Sequence, residues 1–207
     1  GADNASGDSR AFRWTVAGGM QDLGTFGGDW SYAYGVSANG SVVVGQAGNA
    51  SGYSRAFRWT AAGGMQNLGT LGGDWSAAYG VSADGSVVVG RAWNASGDRR
   101  AFRWTAAGGM QNLGTLGGLK SEASGVSADG SVVVGEAENA SGEWHAFRWT
   151  PRGGMEDLNI TYASLLSDGS YLETAYAISP NGRYIVGGGY NAATGRLEAY
   201  LLDTGTP

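Results

Sequence analysis

Hydrophobic and polar residues alternate along this chain over short stretches, and nowhere do apolar residues recur at helical spacing for three turns. Between Arg99 and Thr105, Phe102 and Trp104 fall on one face and Arg103 and Thr105 on the other, the period of a half-buried strand. The stretch before it, Ser86 to Trp93, is valine-rich and apolar on both faces, so a strand there must be covered on both sides. Two further segments, Ala77 to Ser82 and Met110 to Leu116, complete a set of four. Ala83-Asp84-Gly85, Asn94-Ala95-Ser96-Gly97 and Ala106 to Gly109 separate them, and Asp-Gly is a strong hairpin signal because glycine supplies the positive φ of tight turns. The pattern predicts an all-β unit of four short strands.

That unit repeats. Ala-Phe-Arg-Trp-Thr begins at Ala11, Ala56, Ala101 and Ala146, and a degenerate copy reads Ala199-Tyr200-Leu201-Leu202-Asp203. A period near 45 residues suits a propeller blade; helical repeats reach similar lengths, and the strand content decides between them. Coils of a flat β-solenoid are shorter. The expected fold is therefore a β-propeller-like array of four-stranded antiparallel blades, with about four blade equivalents and incomplete terminal units. A single repeat domain, 1–207, divides into a partial unit 1–28, full units 29–73, 74–118 and 119–162, and a terminal partial unit 172–207. About seven extra residues, near 163–171, form an insertion expected to lie outside the strands. Counted by segment type, the chain reads third, fourth, three whole units, then first, second and third. A ring of four blades would close on Met20–Phe26 and leave either Arg10–Thr15 or Glu198–Asp203 without a place.

Composition narrows the function more than the fold. At 207 residues the chain can bury a substantial core without disulfides or metals. Its net charge is −5, its one lysine is Lys120 and its arginines are scattered, which excludes the concentrated positive face that nucleic acid requires. No apolar stretch approaches the length of a membrane-spanning helix. Cysteine is absent, so thiol chemistry, disulfides and thiolate metal sites are excluded. The chain opens at Gly1 inside a repeat, as a processed secreted protein or a fragment of a longer chain would.

Each candidate for chemistry competes with a repeat-slot explanation. The single histidine, His145, occupies a slot held elsewhere by Arg10, Arg55 and Arg100, so a structural role is expected and no catalytic residue is assigned. Asp84-Gly85 and Asp129-Gly130 lack the alternating acidic ligands of calcium loops and match Asn39-Gly40 and Asn181-Gly182, which indicates turn chemistry and neither metal nor cofactor. A sialidase-type enzyme would need an arginine cluster and a tyrosine nucleophile that break the repeat, and none stands out. Arg13, Arg58, Arg103 and Arg148 could ring an anion, but their strand-interior position favours packing between blades. Trp30 and Trp75, in Gly-Gly-Asp-Trp loops, could stack on a sugar or pack at the rim; the third unit has Leu119-Lys120 there instead. Asn4, Asn49, Asn94 and Asn139 begin Asn-Ala-Ser tips that match the N-glycosylation pattern and equally suit hairpins, and Asn159-Ile160-Thr161 adds a site outside the tips.

The sequence also resembles a known family. Gly-Met-Gln-Asn-Leu-Gly-Thr-Leu-Gly-Gly (109–118), Gly-Val-Ser-Ala-Asp-Gly-Ser-Val-Val-Val-Gly (125–135) and His145-Ala146-Phe147 are similar to the HAF repeats of bacterial extracellular and autotransporter-associated proteins. The run Ser179 to Gly187 through Leu202 is similar to the last unit of that family and to the Ser-Pro-Asp-Gly hairpin of other bacterial propellers. The resemblance implies a propeller-like fold and an extracellular or cell-surface location, and no chemistry. The expected function is a non-catalytic secreted structural or adhesive module that self-associates into a homo-oligomer or filament. Its assembly residues are Arg10, Ala11, Phe12, Arg13, Trp14, Thr15, Glu198, Ala199, Tyr200, Leu201 and Leu202. The alternative is a carbohydrate-binding propeller, with a surface glycan as partner of Trp30 and Trp75.

Overall fold

A computed structural model describes residues 1–205, and the last two residues of the terminal unit lie outside the described residues. The chain begins with β1 (Ala2–Asp3) paired to β2 (Ser9–Arg10), then β3 (Phe12–Thr15) paired to β4 (Gly19–Asp22). Three antiparallel meanders of four strands follow. Blade 1 holds β5 (Gly27–Val36), β6 (Val42–Asn49), β7 (Ser54–Thr60) and β8 (Gly64–Asn67). Blade 2 holds β9 (Gly72–Val81), β10 (Val87–Asn94), β11 (Arg99–Thr105) and β12 (Gly109–Asn112). Blade 3 holds β13 (Gly117–Val126), β14 (Val133–Asn139), β15 (Trp144–Thr150) and β16 (Gly154–Asp157). After a helical turn α1 (Leu158–Thr161) and a 3₁₀ turn (Ala163–Leu165), blade 4 consists of β17 (Tyr171–Ile178), β18 (Tyr184–Asn191) and β19 (Arg196–Asp203).

The first strand of each unit is longer than its apolar pattern suggested, and the fourth is shorter. β9 starts at Gly72 because its glycine-rich beginning still pairs with Asn94, and register shifts between Val89 and Gly90 and between Ala92 and Asn94 absorb the added residues. One glycine is obligatory at this irregularity, since a Cβ on Gly90 would overlap the carbonyl of Ala77. The fourth strand stops at Asn112, and Leu113 turns inward to bury its side chain between blades.

The blades pack face to face, and the core lies between them. Val42, Val44, Ala56 and Leu68 of blade 1 meet Ala78, Val88, Phe102 and Trp104 of blade 2. The same contact recurs between blades 2 and 3 through Val87, Val89, Val133, Phe147 and Trp149. Val43, Val88 and Val133 are buried, as strands with two apolar faces require. Phe57, Phe102 and Phe147 are each fully buried, a contribution of roughly 1.5–3 kcal/mol apiece.

Hydrogen bonds also cross each boundary. The Ala38 N–H donates to the Ala83 carbonyl, Ala83 to Ala128, and Ala128 to Pro180, joining successive hairpins. Ser76, buried in blade 2, accepts from the Ala56 N–H of blade 1 at 2.9 Å and donates to the Gly69 carbonyl at 2.6 Å. Ser31 and Ser121 repeat the arrangement.

The insertion lies outside the strands as far as Ser170, Tyr171 opening β17, and with the residues before it is no plain loop. Asp157 caps α1 by accepting from the Asn159 N–H, and the Asn159 amide clamps both backbone groups of Leu172 at 2.7 and 2.8 Å. Leu158, Tyr162 and Leu166 fill the core between blades 3 and 4. Among the described residues the array is open: β19 pairs only with β18, and no strand pairing joins blade 4 to β4. The partial first unit also carries β1, a remnant of a second-type strand that segment counting left out.

Candidate functional site

The repeat slots considered for chemistry are occupied with structural work. His145 Nδ1 lies 2.6 Å from Asp157 Oδ2, and its Nε2 lies 3.3 Å from the Asn139 amide nitrogen. In the same slot Arg10 binds Asp8 at 2.9 Å and Arg100 binds Asp98 at 3.2 Å. Three of the four strand-interior arginines reach a neighbouring unit. Arg58 Nε donates to the Gly85 carbonyl at 3.0 Å and Arg103 Nε to that of Gly130 at 3.2 Å, each in the next blade. Arg13 stands over Trp59 and Arg103 over Trp149, while Arg148 bonds Glu156 at 3.2 Å.

Asp84 and Asp129 spend their carboxylates on their own hairpins. Asp84 Oδ1 accepts from the Ser82 hydroxyl at 2.6 Å and from the Ser86 N–H and hydroxyl at 2.9 and 2.8 Å. These bonds, that from Ser82 foremost, lower its pKa to about 2. Asp129 is lowered for the same reasons. Asn49 Oδ1 accepts from the Ser51 and Tyr53 N–H groups, and Asn4, Asn94 and Asn139 do likewise in their own tips.

Trp30 and Trp75, 45 positions apart in the sequence, line one cleft of about 390 Å³ between blades 1 and 2. Tyr32, Gln46, Arg91 and Trp93 share it. Trp30 lies across β6 directly over Gly48, where a Cβ would come within 3.0 Å of the indole nitrogen. Tyr32 flanks Trp30 at 5.7 Å between ring centroids. Trp75 is 41 % exposed and meets Tyr53 edge-on at 6.1 Å. Arg91 sits over both Trp93 and Tyr79 at 5.5 and 5.6 Å and binds Glu122 at 2.8 Å. Burial, then the nearby Glu122 carboxylate, pushes the Tyr79 hydroxyl up to about 12. The sequence singled out these two tryptophans as loop residues, whereas they stand in β5 and β9 because the glycine-rich starts of those strands still pair, and it missed the remaining walls. A signal for those was present: slots 32/77/122, 46/91/136 and 48/93/138 differ from unit to unit while their neighbours repeat.

The terminal segments occupy the two ends of the array. Ala11 is buried against blade 1, Arg10 donates to the Gly28 carbonyl of blade 1 at 3.4 Å, Thr15 accepts from the Gly18 N–H in its own turn, and Phe12 and Arg13 are half-buried. Trp14 is 61 % exposed, whereas Trp59 in the equivalent slot is buried. Phe12, Arg13, Trp14 and Thr15 form one wall of a groove of about 490 Å³ whose other wall includes Tyr34, Val36 and Val43. At the far end Leu202 is buried and the Tyr200 hydroxyl donates to the Thr174 carbonyl at 2.9 Å. Glu198 accepts from Asn191 and Thr194, and Ala199 is exposed. Leu201, in the slot of Arg58, is 68 % exposed beside exposed Leu197, Val186 and Tyr176. Among the described residues no cluster of His, Cys, Asp and Glu could hold a metal ion, and no helix is long and apolar enough to cross a membrane.

No protein-family model matches the chain, and no curated protein matches it. Solved structures do. A structure described as a TolB from Agrobacterium tumefaciens superposes with a TM-score of 0.63 at 16 % identity, covering 95 % of this chain and 71 % of that one. TolB from Acinetobacter baumannii superposes at 0.60 with 11 % identity, over 93 % of this chain and 45 % of the other. With its stacked four-stranded antiparallel sheets, the chain is a protein of the β-propeller class. At these identities the likeness is one of fold.

Proposed function

We propose that the protein is a non-catalytic structural or adhesive module of the bacterial cell surface or exterior, and that it acts by joining copies of itself end to end. The observation that carries this reading is the pair of open end faces. Inside the array, Val42, Val44 and Ala56 of one blade are buried by the front of the next. At the C-terminal end the corresponding face presents Val186, Leu197 and Leu201 to solvent, and at the N-terminal end Trp14 and Val36 border an empty groove. Apolar patches at both ends, each built from slots that elsewhere form blade contacts, suit a head-to-tail contact that repeats the internal one. β3 pairs with β4 alone, so a free edge accompanies the groove. The non-catalytic reading is supported by the structural bonds of His145, Asp84 and Arg58, each of which ties the side chain to a neighbouring strand or hairpin. The surface location rests on the resemblance to HAF repeats.

The test is sizing by light scattering across a concentration series, with electron microscopy of the concentrated sample. The native chain is expected to grow in mass with concentration, and Leu201→Glu and Trp14→Glu, both at exposed sites, are expected to remain monomeric with unchanged circular dichroism. A native chain that stays monomeric throughout would overturn the proposal.

A further inference from the structure

We propose that the cleft between blades 1 and 2 is a binding site for a neutral saccharide. The idea does not depend on assembly, because the cleft lies between two complete blades and not at an open end. A pyranose has faces of C–H groups and a rim of hydroxyls, so it is recognised by flat aromatic surfaces with planar hydrogen-bonding groups at their edges. The cleft offers both. Trp30 is held flat over Gly48, and Trp75 is fixed by the edge of Tyr53 while 41 % of it stays exposed. Gln46 and Arg91 bring an amide and a guanidinium into the same space.

Rigid placement matters, since aromatic anchors already in position lose little freedom when a ligand arrives. Trp93 is pinned by Arg91, itself held by Glu122. The Gln46 amide donates to the Tyr34 hydroxyl at 2.7 Å and its carbonyl accepts from Ser54 at 3.0 Å, which fixes the orientation of the group facing the cleft.

Charge argues for a neutral ligand. Arg91, the one charged residue lining the cleft, is neutralised by Glu122. An acidic sugar would find no unpaired cation, and a basic ligand no unpaired carboxylate among these walls.

The next boundary lacks the site. Between blades 2 and 3 the slots of Trp30 and Trp75 continue as Trp75 and Lys120, and the slot of Gly48 and Trp93 as Glu138, which binds Lys120 at 3.1 Å. One saccharide per chain is the expected stoichiometry.

The experiment titrates the full chain, at a concentration where sizing shows one species, with cello-, malto- and chito-oligosaccharides, followed by calorimetry and tryptophan fluorescence. At least one neutral series should bind at a single site and shift the tryptophan emission. Trp75→Ala and Trp30→Ala should each weaken it by about tenfold or more, and Trp144→Ala, outside the cleft, should not. Failure of all three series to bind, equal affinity in Trp75→Ala, or a preference for an acidic sugar or a proline-rich peptide would overturn the assignment. Trp75 is 41 % exposed and packs only edge-on against Tyr53, so Trp75→Ala should keep the native circular dichroism and a cooperative melt, which separates lost binding from lost folding.

Discussion

Ser76 shows how a single small residue holds two blades together. Its hydroxyl sits where the third strand of blade 1 ends its pairing, and it satisfies one backbone donor and one acceptor of the neighbouring sheet. An alanine there would leave the Ala56 N–H and the Gly69 carbonyl buried without partners, at a cost of about 1–3 kcal/mol. Ser76→Ala should therefore lower the melting temperature by roughly 3–10 °C for a chain of this size, while Ser96→Ala at an exposed tip should change it little. Equal melting of the two variants would show that water replaces the hydroxyl. The arginines act at the same scale: Arg58 and Arg103 each reach one blade forward to a hairpin carbonyl, which explains a charged residue in a strand otherwise given to packing.

Among the elements, the Ser-Ala-Asp-Gly hairpins couple local turn chemistry to the stacking of blades. Gly85, at φ 76°, turns the chain where its backbone lies against Val42 of the preceding blade. The Asp84 carboxylate accepts its three bonds more strongly when ionised, and its pKa is depressed in the folded chain. Stability from this source is complete above the unfolded aspartate value near about 4 and is lost as the pH falls towards about 2. The double variant D84N/D129N should accordingly show a shallower loss of melting temperature between about pH 4 and about pH 2 than the native chain. Asparagine already stands at positions 39 and 181, so the hairpins themselves should persist. Identical acid profiles in thermal melts would refute the coupling.

For the molecule as a whole, each blade packs mainly on its neighbours, and stability follows position in the array. Blades 2 and 3 are covered on both faces, whereas β3–β4 and β19 each border an open end. In dilute monomer, amide exchange should be slowest in the central strands, around Val88–Gly90 and Val133–Gly135, and fastest in residues 1–22 and in β19. Uniform protection from end to end would indicate a closed ring or an all-or-none unit. Charge orders the array as well. Arg91, Glu122, Arg99 and Glu136 form a chain of ion pairs across blades 2 and 3, and Glu136 accepts from Thr174 of blade 4. Near-identical repeats thereby gain contacts that only one blade order satisfies.

The strands and hairpins were legible in the sequence because each depends on neighbours a few residues away: alternation in Arg99–Thr105, the Asp84-Gly85 turn, the doubly apolar Val87–Val89. The role of Asn94 and its counterparts as hairpin caps follows from the same short range. The cleft was legible only in part. Trp30 and Trp75 stood out as loop aromatics, but their meeting with Tyr32, Gln46, Arg91 and Trp93 depends on which side of each blade faces the next, and strand alternation leaves that choice open. Tertiary structure also decided that the array stays open and that residues 158–166 fold inward as helical turns, because both outcomes are set by contacts between distant segments.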